Sequence, residues 1–568
     1  MENMRMAKWF TAMLLVQTAL FFAPRMGWAQ TSSSAALTGR VTSQEEGPME
    51  GVVVSAKRAG STIMVSVASD EQGRYSFPRN RLEPGQYAVR IRAVGYDLDG
   101  PGTVDVAAQG TATRDLKLVK TKDLAAQLSN AEWLLSMPGT DVDKAALMGQ
   151  CVQCHTLERI VRSHFNAAEF KEIIERMASY TRFSQPGGFP IELSPYKRRP
   201  RPPGEVQHGV PSPAHLSTIN LSSVSEWTYP LKTLPRIKGK GTRAIITTYD
   251  LPRPDTVVHD MTVGSAGIMW YCDNGQQFLG RLDSKTGKAV EFPVPVIKPG
   301  MPGGCRTMEI DPEGNIWIGM KDQSSAGKFD VKTQKFQTWT LPKPTVDEPQ
   351  RVQNVQAAHM NVDGKVWAHW SGSKVQRLDA RTGEWDKSVD VFENIPKGSP
   401  AAKRKHDIYD IYSDSQNNLW FTDYGSEFIG MVDAKTRKVR HWETPTFDSG
   451  PRRAHLDSQD RLWIGEFRAR KIGMFDPKTE RFQEWPIPTP FSGPYDVILG
   501  KDGYAWTGGM TTDHVVRLNP KTGELVEYML PDETNIRKVD IDNSGNPSTF
   551  WVVNTHKAAL VKIEPLDP

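Results

Sequence analysis

Four cysteines occur in the 568-residue chain, and two stand in the phrase CVQCH, which spaces Cys151, Cys154 and His155 as C-x-x-C-H. Two thiols three positions apart on one helical turn can each add across a vinyl group of a porphyrin. The adjacent imidazole can then ligate the iron, so this spacing is the attachment signature of a c-type haem. It predicts one covalent haem c, held by Cys151 and Cys154, with His155 as proximal iron ligand. A redox dithiol would call for a thioredoxin-like βαβ pattern, and a zinc site for a second Cys or His pair nearby. Neither surrounds the motif, and no second C-x-x-C occurs. Met177 is the candidate distal ligand through its thioether; the other reading is a methionine packed on the haem edge. His164, His208 and His215 are the histidine alternatives.

Helices must position such a group. Residues 142–150 read as a first helix, and Asn166 as the cap of a second, AAEFKEIIERMASY, whose Phe170, Ile173, Ile174 and Met177 share one face. This layout resembles a small monohaem cytochrome c domain over residues 123–185. Residues 186–242 are rich in Pro, Arg and Lys and read as an extended linker. Its basic cluster Lys197–Arg201 suits either an acidic redox partner protein or plain solvation.

The first 29 residues place Arg5 and Lys8 before an apolar run from Phe10 to Ala23, with small residues at Gly27 and Ala29. That is a secretory signal layout, too short for a comfortable membrane span. The expected location is periplasmic or secreted, with no transmembrane segment in the mature chain. Lys+Arg 70 against Asp+Glu 66 leaves +4, a near-balance that argues against a nucleic-acid partner. Usage of 38% hydrophobic and 24% charged residues excludes wholesale disorder.

Residues 36–118 alternate apolar and polar positions between Gly, Pro and Asp breaks, the pattern of a small antiparallel sandwich. Asp70, Gly73, Tyr75, Gly85, Tyr87, Gly95 and Tyr96 carry a resemblance to the carboxypeptidase regulatory-like, transthyretin-type module. No catalytic arrangement occurs there, so the segment reads as a scaffold or docking module.

From residue 243 to 568 the chain repeats itself. Tryptophans 270, 317, 367, 420, 463, 506 and 551 recur in phrases such as DPEGNIWIGM and DSQDRLWIGE, each followed by a polar turn and two further strands. A period of about 40–50 residues with four short strands per unit is that of propeller blades, and seven tryptophans imply seven blades. The segment RAIITTYDLP at 243–252 looks like the missing last strand, supplied from the front to close the ring. The fold class is therefore mainly β: an N-terminal β-sandwich, a small α-helical cytochrome c domain and a C-terminal seven-bladed propeller.

These phrases resemble the streptogramin B (virginiamycin B) lyase family. The resemblance implies a metal-assisted eliminase, with a histidine base and acidic magnesium ligands on one face of the ring. Carried over position by position, the motif is incomplete in every blade. His259 and Asp273 match the base and the later acid in the first blade, but Val257 takes the first acid's place. In the fourth, Asp407 and Asp423 fit both acids while Tyr409 stands where the base should be. In the fifth, Glu466 is present while Gly450 and Arg452 replace the other two. Strand alternation would bring His259, Asp273, Arg306, His359, His369, Asp407, Tyr409, Asp423, Arg452, His455 and Glu466 to one mouth of the channel. Such a ring suits a small-molecule ligand, a magnesium or calcium ion, or water alone. Cys272 and Cys305 should lie on one face, as a disulfide or as two buried thiols. The leading expectation is an exported haem c protein that transfers electrons, with the propeller binding a substrate or redox partner. The alternatives are a streptogramin-lyase-like C–O lyase and a non-catalytic docking ring with a haem relay.

Overall fold

The computed structural model describes residues 34–179 and 211–567, apart from 223, 276, 300–304, 343–351, 371 and 396–400. The signal-like segment, the cluster Lys197–Arg201 and His208 lie outside these residues. Among the described residues no helix is long and apolar enough to cross a membrane.

The N-terminal strands alternate as their sequence demands. In Arg74–Pro78 the side chains of Tyr75 and Phe77 are buried and their neighbours face outward. Ala35–Ser43 crosses both edges of this sandwich, pairing antiparallel with Arg74–Pro78 and parallel with Leu116–Lys120. Gly39 is required there, because a Cβ would stand 1.8 Å from the carbonyl oxygen of Arg114. The second sheet runs through Ile63–Ala68, Val53–Arg58, Gly85–Arg92 and Thr103–Val106.

Among the described residues five short helices follow: α1 (Asn130–Ser136), α2 (Asp141–Gln150), α3 (Glu158–Val161), α4 (Ala167–Ser179) and α5 (Pro213–Ile219). Ser129 with Glu132, and Thr140 with Asp143, form reciprocal capping boxes that start α1 and α2. Asn166 caps α4, its Oδ1 accepting from the amides of Ala168 and Glu169. On α4, Phe170 is buried and Ile173 and Ile174 are partly buried against the same cluster. Helix α5 falls within the expected linker and packs on α3 and α4, so the helical unit extends past residue 185.

Among the described residues seven four-stranded blades follow. Six are consecutive, from Val258–Pro293 to Pro494–Met529; the seventh contains Val539–Asp542, Thr549–Asn554, Ala559–Pro565 and the front strand Ala244–Asp250. The innermost strand of each blade contacts that of the next, and Val539–Asp542 meets Val258–Val263, which closes the ring. The repeated phrase has a local cause. Asp311 accepts hydrogen bonds from the amides of Glu313 (3.1 Å) and Asn315 (2.8 Å) and from the indole of Trp317 (3.0 Å). One carboxylate thus shapes the turn and anchors the blade's buried tryptophan. Asp414–Trp420 and Asp457–Trp463 repeat the contact.

The closing strand has two partners. Ala244–Asp250 pairs antiparallel with Ala559–Pro565 on one side and with Ile63–Ala68 of the sandwich on the other. Blade seven and one sandwich sheet are therefore a single eight-stranded sheet. Arg81 to Glu564 (2.8 Å), Arg90 to Asp532 (2.6 Å) and Arg92 to Asp513 (2.5 Å) reinforce the seam.

Candidate functional site at the propeller mouth

Each of the first six inner strands carries an extra residue against its neighbour. Pro451 faces Glu466 and Ala454 faces Ile464, so three steps on one strand meet two on the other, and the remaining five break register similarly. A bulge lets two consecutive side chains face the same way. The result is a layered channel. The layer nearest the mouth consists of His259, Arg306, Gln353, Tyr409, Arg452, Tyr495 and Arg537. Beneath it lie Asp260, Thr307, Asn354, Asp410, Arg453, Asp496 and Lys538.

Contacts across the ring fix the layers. Arg453 reaches Asp260 through both terminal nitrogens at 3.0 Å and Asp410 at 3.2 Å. Asp496 takes His455 at 3.3 Å and Lys538 at 3.9 Å. The second layer thus pairs within itself, its three aspartates against Arg453 and Lys538. The first holds three guanidiniums and no carboxylate. Arg452 is 2% exposed and lies against the rings of Tyr495 (3.9 Å), Phe467 (4.4 Å), Tyr409 (4.9 Å) and Tyr424 (4.9 Å). Arg306 stands 5.6 Å from the Tyr409 ring centre. The phenols of Tyr409 and Tyr495 are hydrogen-bonded to each other. Burial raises the Tyr409 phenol, but Arg452, Arg306, Arg453 and Arg537 outweigh it and pull it down to about 7. Tyr495 is pushed up to about 12, by burial and then by Tyr409.

The expected lyase residues take other roles. His259 is buried with Nδ1 2.5 Å from Asp260, and burial lowers it to about 3. Asp273 accepts from the amides of Val257 and Gly275 and holds Arg253, a turn-shaping set. Asp423 does the same work in blade four, binding the amides of Asp407 and Gly425, the Ser426 hydroxyl and His406. Asp407 itself is half-buried on that loop. His359 follows the far end of its inner strand, Val352–Gln356, and bonds Ser413; it belongs to the opposite face. His369 is buried among Asn354 and the Gly372 carbonyl. Glu466 lies over Gly473 beside Glu484, and burial and that second carboxylate push it up to about 8. Cys272 and Cys305 form a disulfide joining blades one and two.

Magnesium or calcium does not fit this mouth. Asp273 and Asp423 are committed to backbone amides, Glu466 is buried beside Glu484, and guanidiniums line the opening. Among the described residues no three His, Cys, Asp or Glu side chains converge to hold a metal ion.

A cover lies over the mouth. The Val152 carbonyl accepts from Asn535 (2.6 Å) and His556 (3.1 Å), the Gln153 carbonyl from Arg537, and the Ala131 amide donates to Thr511 (2.8 Å). Met148 and Val152 join Tyr409, Phe467, Tyr495 and Met510 in one apolar cluster. The C-x-x-C-H segment is therefore the part of the helical unit that seats on the ring. Burial pushes the Cys151 thiol up to about 12, and His155 bonds the Thr156 carbonyl through Nδ1. Met177 is 43% exposed on α4. A cavity of about 350 Å³ beside the cover is lined by Cys154, His155, Arg159, Glu533 and His556.

Comparison with known proteins agrees with the two β regions. Residues 394–565 match the virginiamycin B lyase family and residues 36–119 the carboxypeptidase regulatory-like domain. Among curated proteins nothing matches the chain. A solved streptogramin B lyase is 22% identical, with 58% of this chain and all of that chain covered at a TM-score of 0.49. A virginiamycin B lyase from Staphylococcus aureus is 21% identical, with 56% and 98% covered at 0.47. A catalytically inactive form of it with quinupristin gives 21%, 56% and 98%, at 0.46. No cytochrome family matches the helical unit. The haem c cofactor and the electron-transfer function expected from CVQCH are thereby corrected: neither the families matched nor the ligand geometry supports them, and the motif's described contacts are those of the cover.

Proposed function

We propose that the ring is a lyase-type eliminase in which Tyr409 is the base and guanidiniums take the part that a metal plays in the resembling family. One observation carries this reading. Tyr409 stands at the family's base position, bonded to a second phenol and flanked by Arg452 and Arg306. A base whose pKa lies near the working pH is effective in proton abstraction. In the step, the Tyr409 phenolate oxygen takes the proton from the carbon next to a substrate carbonyl. The C–H electron pair becomes a C=C bond as the neighbouring ester C–O bond breaks, and the leaving carboxylate keeps that bond's electrons. Arg306 and Arg452 stabilise the charge that develops on the carbonyl oxygen. Tyr409 then returns its proton to solvent.

The test is to incubate the full chain with quinupristin and look by liquid chromatography and mass spectrometry for a ring-opened isomer of unchanged mass. The wild type should form it, and Tyr409→Phe should slow it by about a hundredfold or more. No ring opening, or undiminished ring opening in Tyr409→Phe, would contradict the proposal.

A second reading has its own observation. Val152 and Gln153 occupy donors of the mouth itself, as a permanent cover on a non-catalytic docking ring would.

A further inference from the structure

We infer that the group recognised at the mouth is an oxyanion, a carboxylate or phosphate on a small molecule, received between Arg306 and Arg452. This rests on the mouth being the site, as proposed above, but not on the elimination step.

The first argument is the division of charge between layers. The three aspartates of the second layer pair with Arg453 and Lys538, whereas the layer above sets Arg306 and Arg452 among phenols and amides with no carboxylate of its own. The second argument is geometric. The Nε atoms of Arg306 and Arg452 are buried and have no hydrogen-bond partner. Both side chains are more than nine-tenths buried. Their other contacts are Gln353 for Arg306, the Tyr409 phenol and Met510 sulfur (3.4 Å) for Arg452, and aromatic faces. A buried guanidinium with no opposing carboxylate is costly, and stacking on rings offsets only part of its lost hydration. Guanidinium donors match oxyanions in shape and charge, and a divalent cation would be repelled. Tyr409 supplies at most one negative charge, so a ligand anion completes the neutralisation.

The experiment follows thermal unfolding of the full chain while acetate or inorganic phosphate is titrated at constant ionic strength against chloride. A saturable rise in midpoint with one oxyanion or both is expected, and the arm that saturates at lower concentration identifies the carboxylate or phosphate source. Arg306→Gln should lose the rise. If Arg452→Met fails to fold, Arg306→Gln and Arg306→Lys still decide the matter, the lysine variant retaining part of it. A rise no greater than with chloride, or an equal rise in Arg306→Gln, would overturn the inference. Binding without ring opening would remove the eliminase alone, and ring opening without oxyanion binding would remove this inference alone.

Discussion

At the scale of single residues, burial decides which acids and bases are available. Glu466 has the sequence position of a metal ligand, yet its carboxyl sits beside Glu484 and is pushed up to about 8. Its folded form holds a proton that the unfolded chain gives up near the ordinary glutamate value. Stability should therefore be full below about pH 4.5 and fall as pH rises toward about 8, by roughly 5 kcal/mol in all at about 1.4 kcal/mol per pH unit. Glu466→Gln removes this titration. Its thermal midpoint should fall less than that of the wild type between about pH 5 and pH 8, and parallel slopes would show that Glu466 is not the group responsible. Tyr409 is the opposite case, a buried phenol whose four arginine neighbours overcome the burial that opposes its charge.

At the scale of elements, the closing strand Ala244–Asp250 bears the most. It lies between blade seven and the sandwich, so its residues from Ile245 to Tyr249 serve two ladders. Proline at its centre removes a donor and costs about 3 kcal/mol or more. Thr247→Pro should lower the thermal midpoint and split one cooperative transition into two, followed by calorimetry. An unchanged single transition would mean that the two β units do not depend on this strand. Tryptophan spacing and the recurring phrases around it made the blades legible in the sequence; in the blades of Trp317, Trp420 and Trp463 one aspartate both builds the turn and holds the indole. The strand at 243–252 was legible as ring closure. Its second partner was not, since nothing in Ile63–Ala68 distinguishes an edge that meets solvent from one that meets another sheet. The mouth was half legible for a related reason: strict alternation finds Arg306, Tyr409 and Arg452, but a bulge breaks it. Asp260, Asp410, Arg453 and Asp496 were therefore missed. The signal that could have found them is the recurrence of two adjacent polar residues at the start of each inner strand.

At the scale of the whole molecule, three units share one organisation. The sandwich extends blade seven, the helical unit spans from the sandwich to the mouth, and the C-x-x-C-H segment presses its carbonyls onto Asn535, Arg537 and His556. That motif misled the functional reading because its spacing is local, whereas its role in the folded chain is set by the ring it rests on. The cover also explains why so many charged groups can be buried at an opening that would otherwise be wet. The central claim is that this covered, carboxylate-free layer makes Tyr409 a base near neutral pH. A spectrophotometric titration of tyrosine ionisation, comparing the full chain with Tyr409→Phe, tests it most directly. One phenol should ionise with a midpoint near pH 7 in the wild type and be missing from the variant. If no phenol of the wild type ionises below the ordinary tyrosine range near pH 10, Tyr409 is not the base and the proposed chemistry of the mouth fails.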